Sequence, residues 1–199
     1  MSTTHNSINR REDKSFSYNL LIVGALVALK RVEDAIHALK LLVKENNLYN
    51  LTIVGEGELY NELVELVNHL RLQKNVIFKG YIEESEEISK VYIKSNVLLH
   101  PSISEGTPKV IAEAMSYGVI PIAVNGVGSI NYIINDSDNG FLVEEKMPQS
   151  IADRVLLLEK DFKIYERMSD SALEYAEQHT LDNEVSKQWE FVSNQISNI

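Results

Sequence analysis

The sequence predicts an α/β fold, a parallel sheet of about six strands with helices on both faces. Two observations carry that expectation. Short apolar runs rich in β-branched residues recur along the chain, at 20–23, 51–54, 76–78, 97–99, 120–124 and 141–143. Runs of this kind, apolar without alternation, suit strands covered on both faces. Between them lie stretches with helical spacing. Strand and helix in alternation imply parallel pairing through crossovers.

The elements follow in order. The run at 20–23 ends at Gly24, and Ile36, Leu39 and Val43 then share a helical face. The run at 51–54 precedes a second stripe, Leu59, Leu63, Leu66 and Leu70. After 76–78 comes a shorter stripe of Ile88, Val91 and Tyr92. The run at 97–99 ends near His100, Pro101 breaks it, and Val110, Ile111, Ala114 and Met115 face one side of a further helix. Pro108 suits the first turn of that helix, where a missing N–H costs nothing. From residue 150 onward only helices are expected. Residues 1–17 are polar and aperiodic and read as a tail or linker. Residues 18–180 read as the globular domain, and 181–199 as a closing helix.

Composition narrows the function. The formal net charge is −10, and no basic cluster is longer than Arg10-Arg11. That argues against nucleic acid as a partner and against direct docking on an anionic membrane. The longest apolar run, at 20–29, is shorter than the ~20 residues a bilayer span needs, so no membrane insertion is expected. The chain contains no cysteine, which removes thiolate chemistry. An anionic small ligand remains open if a local site overcomes the global field.

In open parallel sheets, ligands bind beyond the carboxyl ends of the strands. The loops to watch are therefore 24–31, 55–58, 80–82, 101–109 and 125–129. In the fourth, Glu105 and Glu113 stand eight positions apart around a helix start. Gly106 permits close approach of a ligand to backbone. The free N–H groups at the helix start suit phosphate. Carboxylates accept strongly from paired hydroxyls, so Glu105 could take the diol of a sugar and Glu113 that of a ribose, on either side of a diphosphate. Spacing alone leaves a second reading, with Glu105 complementing the helix dipole and Glu113 solvated. Lys30, after the first strand, is suited to neutralise a diphosphate or simply to meet water.

Other motifs are weaker. Asp136-Ser137-Asp138 spells D-x-D, a metal-binding pattern elsewhere, and is expected to be a solvated turn. GEGELY and NGVGSI lack the third glycine of the dinucleotide fingerprint, which disfavours a nicotinamide dehydrogenase. His100 is expected to be a core histidine satisfied by backbone. His5, His37, His69 and His179 show no ligand spacing.

The order G-x-L-x-x-x-K, TIVGEGEL, NVIFKGYI, PSxxEGTPKVIAEAMSYGVIPIAV, NGVGSI and DNGFLVE resembles the C-terminal, donor-binding domain of GT-B glycosyltransferases of the retaining, family 4 type. The likeness runs over about residues 18 to 195, and EGTPKVIAEAM matches that family's E-x7-E motif. It implies a Rossmann-like domain and a nucleoside diphosphate sugar, a UDP-sugar, as donor substrate, with no metal or other cofactor. It implies that Glu105 and Lys30 are the catalytic residues. The donor would lie along Gly24, Lys30, Gly80, Tyr81, Ile82, Glu105, the backbone of Gly106, Thr107, Pro108 and Lys109, and Glu113. One departure is Ala25, where the family usually carries arginine; Arg31 is the candidate substitute. Ser129, with Glu105, would shape sugar choice. The resemblance further implies an N-terminal domain preceding this chain, with HNSIN (residues 5–9) as the linker and Trp189, Phe191 and Val192 in a helix reaching back to it. That domain would bind a glycan or lipid-linked glycan acceptor, in a cytoplasmic enzyme lying at the inner membrane, and the isolated chain would be inactive. The alternative is a non-catalytic nucleotide-sugar-binding module or a partner-dependent subunit.

Overall fold

The computed structural model describes residues 15–179. Six strands form one parallel sheet: β1 (Asn19–Val23), β2 (Asn50–Val54), β3 (Val76–Gly80), β4 (Val97–His100), β5 (Ile120–Val124) and β6 (Phe141–Val143). Their spatial order is β3-β2-β1-β4-β5-β6, and every neighbouring pair is parallel. Each expected apolar run lies inside one of these strands. The helices are α1 (Val32–Glu45), α2 (Tyr60–His69), α3 (Ser85–Lys94), α4 (Lys109–Met115), α5 (Ile130–Ile133), α6 (Pro148–Lys160) and α7 (Phe162–Gln178).

Side chains alternate across a strand, so each run feeds two cores. Leu20, Ile22, Leu51, Ile53, Val97, Leu99, Ile120 and Ile122 join α1, α2 and α6 on one face. Leu21, Val54, Leu98 and Ala123 join α3, α4 and α5 on the other. Helix α7 serves both, with Tyr165 and Met168 in the first core and Ala172 in the second. Burying each such Leu or Ile contributes roughly 1.5–3 kcal/mol, which is why both faces of the central strands read as apolar.

Strand β3 departs from that reading. Val76 is buried, but Ile77 is 51% exposed and Lys79 is exposed. The chain crosses after β3 to build β4 on the far side of β1. Helix α3 does not close over this face of the edge strand; Ile77 and Lys79 line a pocket with its Glu87, Lys90 and Val91, and a lysine there also discourages edge-to-edge pairing.

The polar N-terminal stretch is docked where the structure describes it. Ser17 donates through its N–H and its hydroxyl to Asn96 Oδ1, at 2.9 and 2.8 Å, and buried Asn96 donates to Tyr165 Oη at 2.8 Å. Phe16 stands edge-on to Tyr49 and Tyr165. Residues 15–17 thus belong to the folded unit. The expected linker at 5–9 and the closing helix with Trp189, Phe191 and Val192 lie outside the described residues.

The strand order reverses between β1 and β4. Ligands of open α/β sheets bind in the crevice at such a switch point.

Candidate functional site

Backbone bonds lace the strand-end loops together. Gly24 donates to the Val54 carbonyl (2.9 Å), Leu26 to that of Glu56 (2.9 Å) and Gly55 to that of Gly80 (2.8 Å). Across the switch point, the Leu29 carbonyl accepts from the Ile103 N–H at 2.9 Å and from the Ser102 hydroxyl at 3.1 Å. The loop after β1 is thereby tied to the loop after β4.

That tie brings Lys30 and Glu105 together. Lys30 ends a short 3-10 turn, Ala28–Lys30. Its ammonium donates to Glu105 Oε1 at 2.5 Å. The side chains are 27% and 11% exposed. His100, the last residue of β4, reaches the same oxygen with Nε2 at 2.9 Å. The buried Nε2 makes no aligned hydrogen bond, so the contact is close but off the line a formed bond needs. The Nε2 of His100 is therefore not satisfied by backbone in the way expected; strand β4 ends with it beside the carboxylate instead. Burial would raise the carboxyl pKa of Glu105. The contacts with His100, Lys30 and Ser102 outweigh burial and lower it from 4.5 to about 2. Glu105 is thus ionised at neutral pH.

Gly106 and Thr107 lie exposed beyond Glu105. A Cβ added to Gly106 would meet no atom within 4 Å, so the space beside this backbone is open. Pro108 sits one residue earlier than expected, at the N-cap of α4, with no side chain capping the helix. Its ψ of 89° is not helical, so it closes the loop rather than opening the helix. The first N–H groups of α4, from Lys109, have no i−4 carbonyl within the helix, and of these Ile111 already donates to the Pro108 carbonyl at 3.1 Å. Glu113 is exposed on α4, while Ile111, Ala114 and Met115 are buried. The hydroxyl of buried Tyr92 donates to Glu113 Oε2 at 3.2 Å, and Tyr92 stacks on Tyr117 with ring centroids 5.3 Å apart.

The loop after β5 braces the one carrying Glu105. Ser129 N–H donates to the Gly106 carbonyl at 3.0 Å. Gly128 has φ +53°, and a Cβ there would lie 2.5 Å from the carbonyl oxygens of Glu105 and Gly106. Only glycine allows this approach. The Ser129 hydroxyl oxygen is buried and without a partner among the described residues.

Gly80, Tyr81 and Ile82 follow β3. Glu56 Oε1 accepts weakly from the Tyr81 N–H at 3.4 Å, and the Tyr81 ring is 71% exposed. Arg31 does not stand in for the missing arginine at Ala25. Its guanidinium donates to both carboxylate oxygens of Asp34 (2.9 and 2.8 Å) and pairs with Glu33 (2.7 Å). Two acidic residues in the first turn of α1 hold it away from the site. Asp136 Oδ1 accepts from the Leu142 N–H at 2.8 Å, so it braces the turn before β6. Among the described residues, none of the helices is long and apolar enough to cross a membrane.

The sequence matches the model of the family described as Glycosyl transferases group 1 over residues 4–175. The chain belongs to that family. Among relatives, it is 26% identical over 183 residues to the poly(glycerol-phosphate) alpha-glucosyltransferase of Bacillus subtilis, covering 92% of this chain and 26% of that protein. Among solved structures, the C-terminal domain of LpcC, a glycosyl transferase group 1 family protein from Francisella tularensis, superposes with a TM-score of 0.75 at 28% identity, covering 81% of this chain and 85% of that one. HepE from Anabaena, solved with UDP-glucose, shares the fold with a TM-score of 0.77 at 20% identity, covering 92% and 49%. The chain spans half or less of the length of the curated relatives it matches.

Two polar contacts of the site escaped sequence reasoning. His100 was legible only as a polar residue five positions before Glu105, at a strand end. Tyr92 was counted in an apolar stripe, and its hydroxyl offers no periodic signal.

Proposed function

We propose that this chain is the donor-binding half of a retaining glycosyltransferase, taking a UDP-sugar whose sugar passes to an acceptor hydroxyl. The observation that supports this most is the meeting of Lys30 and Glu105 across the switch point, beside open backbone at Gly106. Lys30 would turn its ammonium to the diphosphate, joined by the N–H groups of Gly106, Thr107 and Lys109. Donors aimed at oxygens that gain charge as the sugar departs lower the barrier selectively. Glu105 would accept from the sugar hydroxyls and Glu113 from the ribose diol. Gly24, Gly80 and Ile82 would line the nucleotide, with the exposed Tyr81 ring available to the base. HepE was solved with UDP-glucose, which favours uridine as the base tested first.

In this reading the diphosphate is neutralised by side chain and backbone, so donor binding persists in a chelator. The acceptor, a glycan or lipid-linked glycan, would be oriented by a further domain at the inner membrane, in bacterial surface polysaccharide synthesis. The Bacillus subtilis relative is named for a poly(glycerol-phosphate) acceptor. Orientation of two substrates supplies a large part of the rate, so the 199-residue chain alone would bind donor and transfer no sugar.

The test is thermal melting with UDP, GDP and ADP at a few millimolar, with and without EDTA. A UDP-dependent rise of about 1–2 °C, unchanged by EDTA, is expected for weak binding. Equal melting with and without every nucleotide overturns the reading.

A further inference from the structure

The buried ring of His100 has no role in that account. It ends β4, is 6% exposed, and its Nε2 lies 2.9 Å from Glu105 Oε1 without an aligned hydrogen bond. Lys30 occupies the same oxygen. Strand pairing with β5, which reaches His100 itself through Ala123, fixes the His100 backbone. Lys30, on an exposed turn and a flexible stem, is the mobile partner.

The two groups at this oxygen have different fates when donor arrives. The diphosphate competes for the Lys30 ammonium. If Lys30 leaves, Glu105 loses its shortest contact while an anion settles beside it. A largely buried carboxylate stripped of its partner is costly and tends to protonate or turn away. Either would spoil it as an acceptor of sugar hydroxyls. His100 is the group already placed to prevent this. With Lys30 gone from Oε1, the Glu105 carboxylate is free to turn into line with the Nε2–H and make it the retained donor.

Resting on the donor-binding reading above, we propose that His100 is a positioning residue for donor recognition: it holds Glu105 ionised and aimed while Lys30 is handed from Glu105 to the diphosphate. It touches Glu105 and not the donor, so it acts on the sugar's share of binding and not on the nucleotide's.

The test uses the 199-residue chain with UDP, UDP-glucose and UDP-N-acetylglucosamine as probes in calorimetry. The unmodified chain is measured first. If it binds none of the three, the donor-binding reading fails and this proposal fails with it. If it binds, His100→Ala should leave UDP affinity within about twofold, as for a residue that does not touch the nucleotide, and weaken the tighter UDP-sugar about five- to tenfold, the scale of one hydrogen bond to a charged group. His100→Gln, which keeps an N–H donor, should recover most of that loss. Unchanged UDP-sugar binding in His100→Ala overturns the proposal while leaving the donor-binding reading intact. So does an equal loss for UDP and UDP-sugar with a lowered melting point, since that is what a merely structural histidine gives. A third measurement needs no variant. The His100 Nε2 resonance in 15N NMR should move when UDP saturates the chain, because Lys30 then vacates Oε1; a resonance indifferent to saturating UDP also overturns it.

Discussion

Lys30 Nζ meets Glu105 Oε1 at 2.5 Å across the gap where β1 and β4 diverge. The lysine proposed to serve the diphosphate is therefore engaged before any donor arrives, and binding must break one ion pair to make another. A hydrogen bond to a charged group contributes roughly 1.5–3 kcal/mol, and a partly exposed ion pair roughly 0.2–1 kcal/mol. The difference leaves about 1–2 kcal/mol, so Lys30→Ala should weaken UDP about five- to thirtyfold. Glu105→Gln should do the opposite. It frees Lys30 and tightens UDP about two- to fivefold, while weakening the preference for UDP-sugar over UDP. Calorimetry on both variants decides. Weaker UDP binding by Glu105→Gln would show that Lys30 is not exchanged between the two partners.

Two glycines in adjoining loops should respond in opposite ways. Gly106 has open space where a Cβ would stand, so Gly106→Ala should melt like the parent yet lose UDP-sugar affinity, because the methyl enters the space proposed for donor. Gly128 has φ +53° and would place a Cβ 2.5 Å from two backbone oxygens. Gly128→Ala should therefore destabilise the fold by about 1–3 kcal/mol, seen as a lower midpoint in urea. A Gly106→Ala chain that binds UDP-sugar normally would remove this backbone from the donor's path.

The six strands were legible because burial on both faces leaves unbroken apolar runs, such as Leu20 to Val23 and Ile120 to Val124. Ile77 was over-read for the same reason: apolar character alone does not reveal that a helix leaves one side of an edge strand open. Lys30 and Glu105 could each be picked out by position after a strand. Their contact could not, since it joins residues 75 positions apart through the strand order. Arg31 was suspected from its charge, but Asp34, one turn ahead on α1, captures it, and that competition is decided by side-chain geometry. His100 and Tyr92 carry polar tips whose aim depends on where a strand ends and which way a helix faces.

The charge of Glu105 gives a pH dependence with a definite sign. Its pKa falls from 4.5 to about 2 in the folded chain, so between these values the fold holds it ionised where the unfolded chain binds a proton. Its contribution to stability is complete above about pH 5 and fades as the pH falls toward about 2. Glu105→Gln lacks this titration. The parent should melt above Glu105→Gln at neutral pH, and the gap should shrink as the pH is lowered through that window. Thermal melts of the two proteins at matched pH check it; a gap that stays constant down to about pH 3 would mean the carboxylate is not held by Lys30 and His100.

Glu113 is proposed to accept from the ribose diol, and Tyr92 supplies the one hydrogen bond found for its side chain among the described residues. Tyr92 is buried, and burial beside Glu113 raises its hydroxyl pKa. It therefore stays a protonated donor across the working range and holds Oε2 in place, leaving Oε1 for ligand. Tyr92→Phe removes the donor and keeps the stack on Tyr117, so the fold should change little. The free carboxylate then loses about 0.5–1 kcal/mol of placement, or two- to fivefold in affinity. Because the ribose hydroxyls are the proposed partners, that loss should appear for UDP and be absent for 2′-deoxy-UDP. Glu113→Ala should show the same pattern more strongly, with UDP falling to the level of its deoxy analogue. Calorimetry with the two nucleotides on the parent and both variants tests the chain of contacts from Tyr92 through Glu113 to ribose. Equal binding of UDP and 2′-deoxy-UDP by the parent breaks that chain at the ribose, and a Tyr92→Phe protein that still discriminates fully breaks it at the tyrosine.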